Sequence, residues 1–199
     1  MMMNTLIRKL SDTRSLVIAV LLAALMIATR GHHLPALRDV VPGASWAVFF
    51  LAGVYLRSPL AFAGFLGLAA GLDYAAISWG GVSAFCVSPA YAALLPAYSA
   101  LWLAGRAYRL GWGVDAIAPL PLALCALGGT LVCDLISSGS FYLYSGRFTD
   151  LSWSEYLSRS ARYLPRCLVA MAFWVALAAL VHRWVAVSNP RPSFRFIRR

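Results

Sequence analysis

The stretch Gly80-Gly81-Val82-Ser83-Ala84-Phe85-Cys86-Val87-Ser88-Pro89-Ala90-Tyr91 carries no charge and separates two long apolar runs. Its glycine pair breaks the first run, and Ser88-Pro89 marks a turn followed by a helix start. The runs on either side therefore read as two membrane-crossing helices joined by a surface loop. Cys86, in the middle of the loop, is the one cysteine of four that falls outside a long apolar run. A thiol in a surface loop can meet a ligand, whereas a thiol inside a helix mostly packs.

The rest of the chain agrees with a membrane reading. Of 199 residues, 61% are hydrophobic and 12% charged, and the mean hydropathy is +0.74. No soluble domain of this size needs so much apolar surface, so the class is an all-α, multi-pass membrane protein. The net charge of +10 is nearly all arginine, much of it at the termini. Such flanks set topology and touch anionic lipid. No basic soluble module is present to bind nucleic acid. Four cysteines at wide spacing form neither a zinc pattern nor a disulfide framework.

Working outward from the loop, six spans are expected. Residues 1–14 form a short amphipathic lead, and span one runs from about Ser15 to Thr29. It has no small-residue cleavage site after it and is read as a span. Spans two and three cover about Gly43–Leu56 and Pro59–Trp79. Span four covers about Pro89–Ala104, and span five Ala116–Ser138, ended by Ser137-Ser138-Gly139-Ser140. A long sixth helix covers about Trp153–Val187, so the transmembrane domain is 15–187 and a basic tail follows over 188–199. Six spans put both termini on one side. Eleven Lys and Arg fall on that side (Arg8, Lys9, Arg14, Arg57, Arg106, Arg109, Arg183, Arg191, Arg195, Arg198, Arg199), and six on the other (Arg30, Arg38, Arg147, Arg159, Arg162, Arg166). The richer side is the cytoplasm, so the Cys86 loop faces outward.

Asp73, Tyr74 and Trp79 then lie near the outer end of span three, Tyr91 at the outer start of span four, and Asp134 and Ser137 near the outer end of span five. A carboxylate in a span costs a few kcal/mol, on the order of 3, unless it is paired or wet. Either Asp134 pairs with an arginine of the sixth helix and Asp73 makes a helix-end hydrogen bond, or both line a polar cavity open to the outside. Arg159, Arg162 and Arg166 follow i, i+3, i+7 and share a helix face. They serve as headgroup anchors for lipid phosphate, as partners of Asp134 or Asp150, or as holders of an anionic ligand group. Cys125, Cys133 and Cys167 read as small core residues. Cys86 is a structural residue, a soft metal ligand or a nucleophile. His182 lies at the cytoplasmic end, while His32 and His33 lie on the outer side, where a pair of connector histidines could approach Cys86. Ala19-x-x-x-Ala23 and Ala24-x-x-x-Ala28 on span one make flat strips for close helix approach, within the chain's own bundle or to a separate subunit. No Gly-rich phosphate loop ending in Lys-Ser or Lys-Thr occurs, so the chain does not hydrolyse ATP by that route.

About 200 residues, six spans, an alanine strip on the first helix and no ATPase motif together resemble the substrate-binding S-components of energy-coupling-factor vitamin transporters. The outward segment Phe85-Cys86-Val87-Ser88-Pro89-Ala90-Tyr91 is similar to that of the BtuM-like group, solitary S-component-like proteins for cobalamin. The resemblance implies an S-component-like bundle in the bacterial inner membrane and cobalamin as the bound substrate. It implies Cys86 as the cobalt ligand, with an ancillary role in removing cyanide from cyanocobalamin. It also implies Ala19 and Ala23 as the coupling strip toward a transmembrane coupling subunit with two ATPases. Topology, rather than a matched motif, adds Asp73, Tyr74 and Tyr91 as cavity contacts, and Phe85 adjoins the thiol. A different class also fits the topology: MreD-like proteins, six-span organisers of cell-wall machinery with no small-molecule ligand, which give no reason for Cys86. An intramembrane protease fits worse, since no histidine lies within a span core.

Overall fold

The computed structural model describes residues 2–30, 41–56, 58–81, 83–84, 88–115, 117–149 and 151–188, with side chains from Thr13 onward. Six α-helices lie within them. They are α1 (Met2–Arg30), α2 (Ser45–Tyr55), α3 (Pro59–Ser78), α4 (Leu94–Trp112), α5 (Pro119–Tyr144) and α6 (Trp153–Ser188). A short 3-10 turn, Pro89–Ala93, leads into α4. Four of the helices are long and apolar enough to cross a membrane: α1 over Thr13–Arg30, α3, α5 and α6. The chain is a multi-pass helical membrane protein.

The centre is α2. Its 11 residues reach only about 17 Å, short of the roughly 30 Å of a hydrocarbon core. It is apolar on every side, and Ala47 to Val54 are all buried, as a helix without a polar face must be. α2 is thus the buried centre of the expected span over Gly43–Leu56, packed against α1, α3, α4 and α6. Glycines let α4 come close. A side-chain carbon at Gly53 would overlap the Trp102 carbonyl, and one at Gly105 would overlap the Phe50 carbonyl. Arg109 of α4 donates to the carbonyls of Val54 and Tyr55 at 3.1 and 3.0 Å. A cation there satisfies acceptors that the end of α2 leaves open. Thr29 Oγ1 of α1 accepts from the Ala44 amide ahead of α2, and the Trp174 indole of α6 donates to the Pro42 carbonyl.

Helix boundaries follow local chemistry. Ser58 caps α3 by accepting from the Leu60 amide, with Pro59 in the first turn. Gly113, at φ +72°, ends α4 in the left-handed region. The lead over 1–14 is helical and continuous with span one: α1 runs unbroken from Met2, and its membrane-crossing stretch begins at Thr13. Two expectations are corrected. Span four begins as a 3-10 turn and continues to Trp112, so Arg106 and Arg109 lie inside α4 rather than in a connector. Span five does not stop at its serines: Ser137 and Ser140 donate to the carbonyls of Cys133 and Ile136, one turn back. Those bonds occupy the hydroxyls inside a continuing helix, which also carries Tyr142 and Tyr144.

Candidate ligand cavity

The C-terminal ends of α1, α3 and α5, the 3-10 turn, the start of α4 and the start of α6 enclose a cavity of about 820 Å³ that opens to the surface. Its first wall is a polar chain. Arg30 ends α1 and grips Asp73 of α3 bidentately, Nε on Oδ1 and Nη2 on Oδ2, both at 2.8 Å. Tyr91 donates its hydroxyl to Asp73 Oδ2 at 2.8 Å. The third guanidinium nitrogen of Arg30 donates to the Tyr98 hydroxyl at 3.1 Å, and the Tyr98 ring stacks on buried Phe49 with centroids 4.3 Å apart. The site is thereby tied to the central helix. A planar fork matched to a carboxylate is strong and directional.

The opposite wall is built on Asp134 of α5, which is 4% exposed. Ser138, one turn on, donates to Oδ1 at 2.9 Å, and Ser160 of α6 donates to Oδ2 at 3.1 Å. Both serines line the cavity. Their protons are committed to the carboxylate, so what they have left to offer is lone pairs. Aromatic groups complete the enclosure: Tyr142 meets Phe148 and Tyr156, with centroids 4.9 and 5.7 Å apart. Arg159 lies 4.4 Å over the Phe148 ring and pairs with Glu155 at 2.8 Å. Two of the cavity's arginines, Arg30 and Arg159, are therefore already matched by carboxylates. Arg147 also lines the cavity, and the rest of the surface left for a ligand is mainly hydroxyl and aromatic in character.

Of the residues singled out from sequence, Asp73 and Tyr91 line this cavity and are bonded to each other. Tyr74 does not line it: the side chain is 67% exposed and meets Trp79 edge to face. Phe85 and Cys86 lie outside the described residues, as do His32 and His33. Ser83 on one side of that segment, and Ala90 and Tyr91 on the other, do line the cavity. Asp73 is held by Arg30 rather than by a helix-end bond, and Asp134 by serines rather than by an arginine. Ala19 and Ala23 are half-buried against the chain's own core, whereas Ala24 and Ala28 are exposed. Cys125, Cys133 and Cys167 are free thiols, Cys133 fully buried. His182 stacks on Tyr55. Among the described residues no cluster of His, Cys, Asp or Glu could hold a metal ion.

Sequence reasoning missed Arg30, Tyr98, Ser138, Ser160 and the aromatic rim. A signal for Arg30 was present, since the charge count puts it on the same membrane side as Asp73. No protein-family model matches this sequence, and no curated protein matches it.

Proposed function

We propose that the chain is a cobalamin-uptake protein of the BtuM-like, S-component kind in a bacterial inner membrane, with its cavity open to the outside and both termini in the cytoplasm. The observation that carries this reading is the cavity, together with the position of its edge: Ser83 and Ala90 line it and bracket the Cys86 segment within seven residues. A volume of about 820 Å³ falls in the range of small-molecule sites, and a large ligand would seat partly within it and partly beyond its mouth. The hydroxyl and aromatic walls suit an amide-fringed ligand. Ser138 and Ser160 present acceptors that amide N–H groups can use, Tyr and Phe rings present flat apolar faces, and Arg30 and Arg159 are engaged by Asp73 and Glu155. A corrinoid has this character.

In this reading the Cys86 thiolate is an axial ligand of the cobalt. A thiolate is a soft, strong donor for such a metal and loses its proton on coordination. Its attachment displaces the ligand already there, and when that ligand is cyanide, cyanide leaves with its electron pair. Energy for release to the cytoplasm comes from a docked coupling subunit with two ATPases. A ligand-free, MreD-like scaffold would have no use for a hydroxyl-lined cavity of this size.

The test is a titration of the purified chain with hydroxocobalamin, followed by absorption and by co-elution on gel filtration. Saturable, one-to-one binding is expected, and it should be lost when Ser138→Leu fills the cavity while the helical spectrum is retained. No corrinoid bound by the folded wild type would overturn the reading.

A further inference from the structure

The exposed face of α6 carries two arginines that the cavity does not use. Arg159 is engaged by Glu155 and Phe148. Arg162 and Arg166, one turn apart, are exposed, and among the described residues neither has a hydrogen-bond or ion-pair partner. Val169, Phe173, Leu177 and Leu180 continue from them at spacings of three and four. At 100° per residue these six positions fall within about 80° of arc, a single stripe, and all four apolar members are exposed. From Cys167 to Val181 the helix has no charged residue, and His182-Arg183 closes the run. Arg166 therefore sits where the hydrocarbon begins. The stripe from Val169 to Leu180 is about 17 Å long, close to one leaflet of a hydrocarbon core about 30 Å thick.

We infer that this face is a binding site for an anionic phospholipid, with its phosphate between Arg162 and Arg166 and an acyl chain along Val169, Phe173, Leu177 and Leu180. Two guanidinium groups one turn apart suit a phosphate with no compensating cation. The nearest carboxylate along the helix, Glu155, is already taken. Arginine stems reach back from the apolar boundary to headgroup level. The site is separate from the cavity, and its test does not depend on the identity of the cavity's ligand.

The test uses the full-length chain purified in mild detergent and mixed with phosphatidylglycerol or phosphatidylcholine of matched acyl chains. Retained lipid is counted by native mass spectrometry. At about 1 kcal/mol per arginine, each contributes roughly fivefold and the pair roughly thirtyfold in preference for phosphatidylglycerol. Arg162→Gln with Arg166→Gln should remove that preference at an unchanged thermal midpoint. Arg183→Gln removes one charge at the far end of the same helix and should leave it intact. Phe173→Ser, which cuts the apolar stripe, should weaken retention of both lipids. Equal retention of the two lipids by wild type would overturn the proposal. An undiminished preference in the double variant, or an equal loss in Arg183→Gln, would also overturn it. So would a stripe found occupied by a second copy of the chain, seen as a lipid-free dimer that the double variant dissolves.

Discussion

Asp73→Asn should unlock the wall of the cavity and destabilise the bundle by about 2–4 kcal/mol. Asp73 accepts three hydrogen bonds of 2.8 Å, two from Arg30 and one from Tyr91. An amide keeps one acceptor and turns an NH₂ toward donors at the other position, whichever way it is rotated. It also removes the counter-charge of a guanidinium that is only 11% exposed. Removing one partner of a fully buried pair costs about 3–5 kcal/mol. Here the carboxylate is 27% exposed, so water recovers part of that cost, which sets the lower figure. At about 2–4 °C per kcal/mol for a chain of this size, the thermal midpoint in mild detergent should fall by roughly 5–15 °C. The controlling experiment is a double-mutant cycle with Arg30→Gln. Once the pair is broken, the second substitution should add little, giving a coupling energy of about 2 kcal/mol. Additive penalties, with coupling under about 0.5 kcal/mol, would refute the argument that the pair is a structural clamp.

Two further outcomes are expected. Gly53→Ala or Gly105→Ala should each cost about 3 kcal/mol or more, because the new methyl meets backbone carbonyls that cannot move aside. Gly64→Ala, which meets nothing within 4 Å, should be neutral or stabilising by about 0.5–1 kcal/mol in the same thermal melts. Ala23→Leu should lower the midpoint by crowding the chain's own core, whereas Ala24→Leu, on the exposed face, should leave it unchanged.

The membrane class and most of the helices were legible because hydropathy is a local property, and the long runs over Pro59–Ser78 and Trp153–Ser188 announce themselves. The convergence of Asp73 and Tyr91 was legible from topology alone, since both lie near one end of consecutive helices. What hydropathy could not give was rotation. Tyr74 adjoins Asp73, but one residue turns 100° about the helix, which carries it out to Trp79. The same rotation separates half-buried Ala23 from exposed Ala24. The serine run on α5 read as a terminator because serine favours turns, and the back-bonds to Cys133 and Ile136 that keep it helical are invisible in composition. The shortness of α2 was visible, but its place at the centre of the core was not. That place depends on Gly53 admitting the Trp102 backbone and Gly105 the Phe50 backbone, contacts between helices about fifty residues apart in sequence.

The cobalt-ligand step of the proposed function rests on one thiol. Cys86→Ser exchanges a soft ligand for a hydroxyl that binds cobalt poorly at neutral pH. The measurement is the absorption spectrum and affinity of hydroxocobalamin on purified wild type and Cys86→Ser, taken together. The account predicts a shifted corrinoid spectrum for wild type. It predicts no shift, and affinity weaker by a hundredfold or more (about 2.8 kcal/mol), for the variant at an unchanged fold. Equal affinity and identical spectra in the two proteins would contradict it.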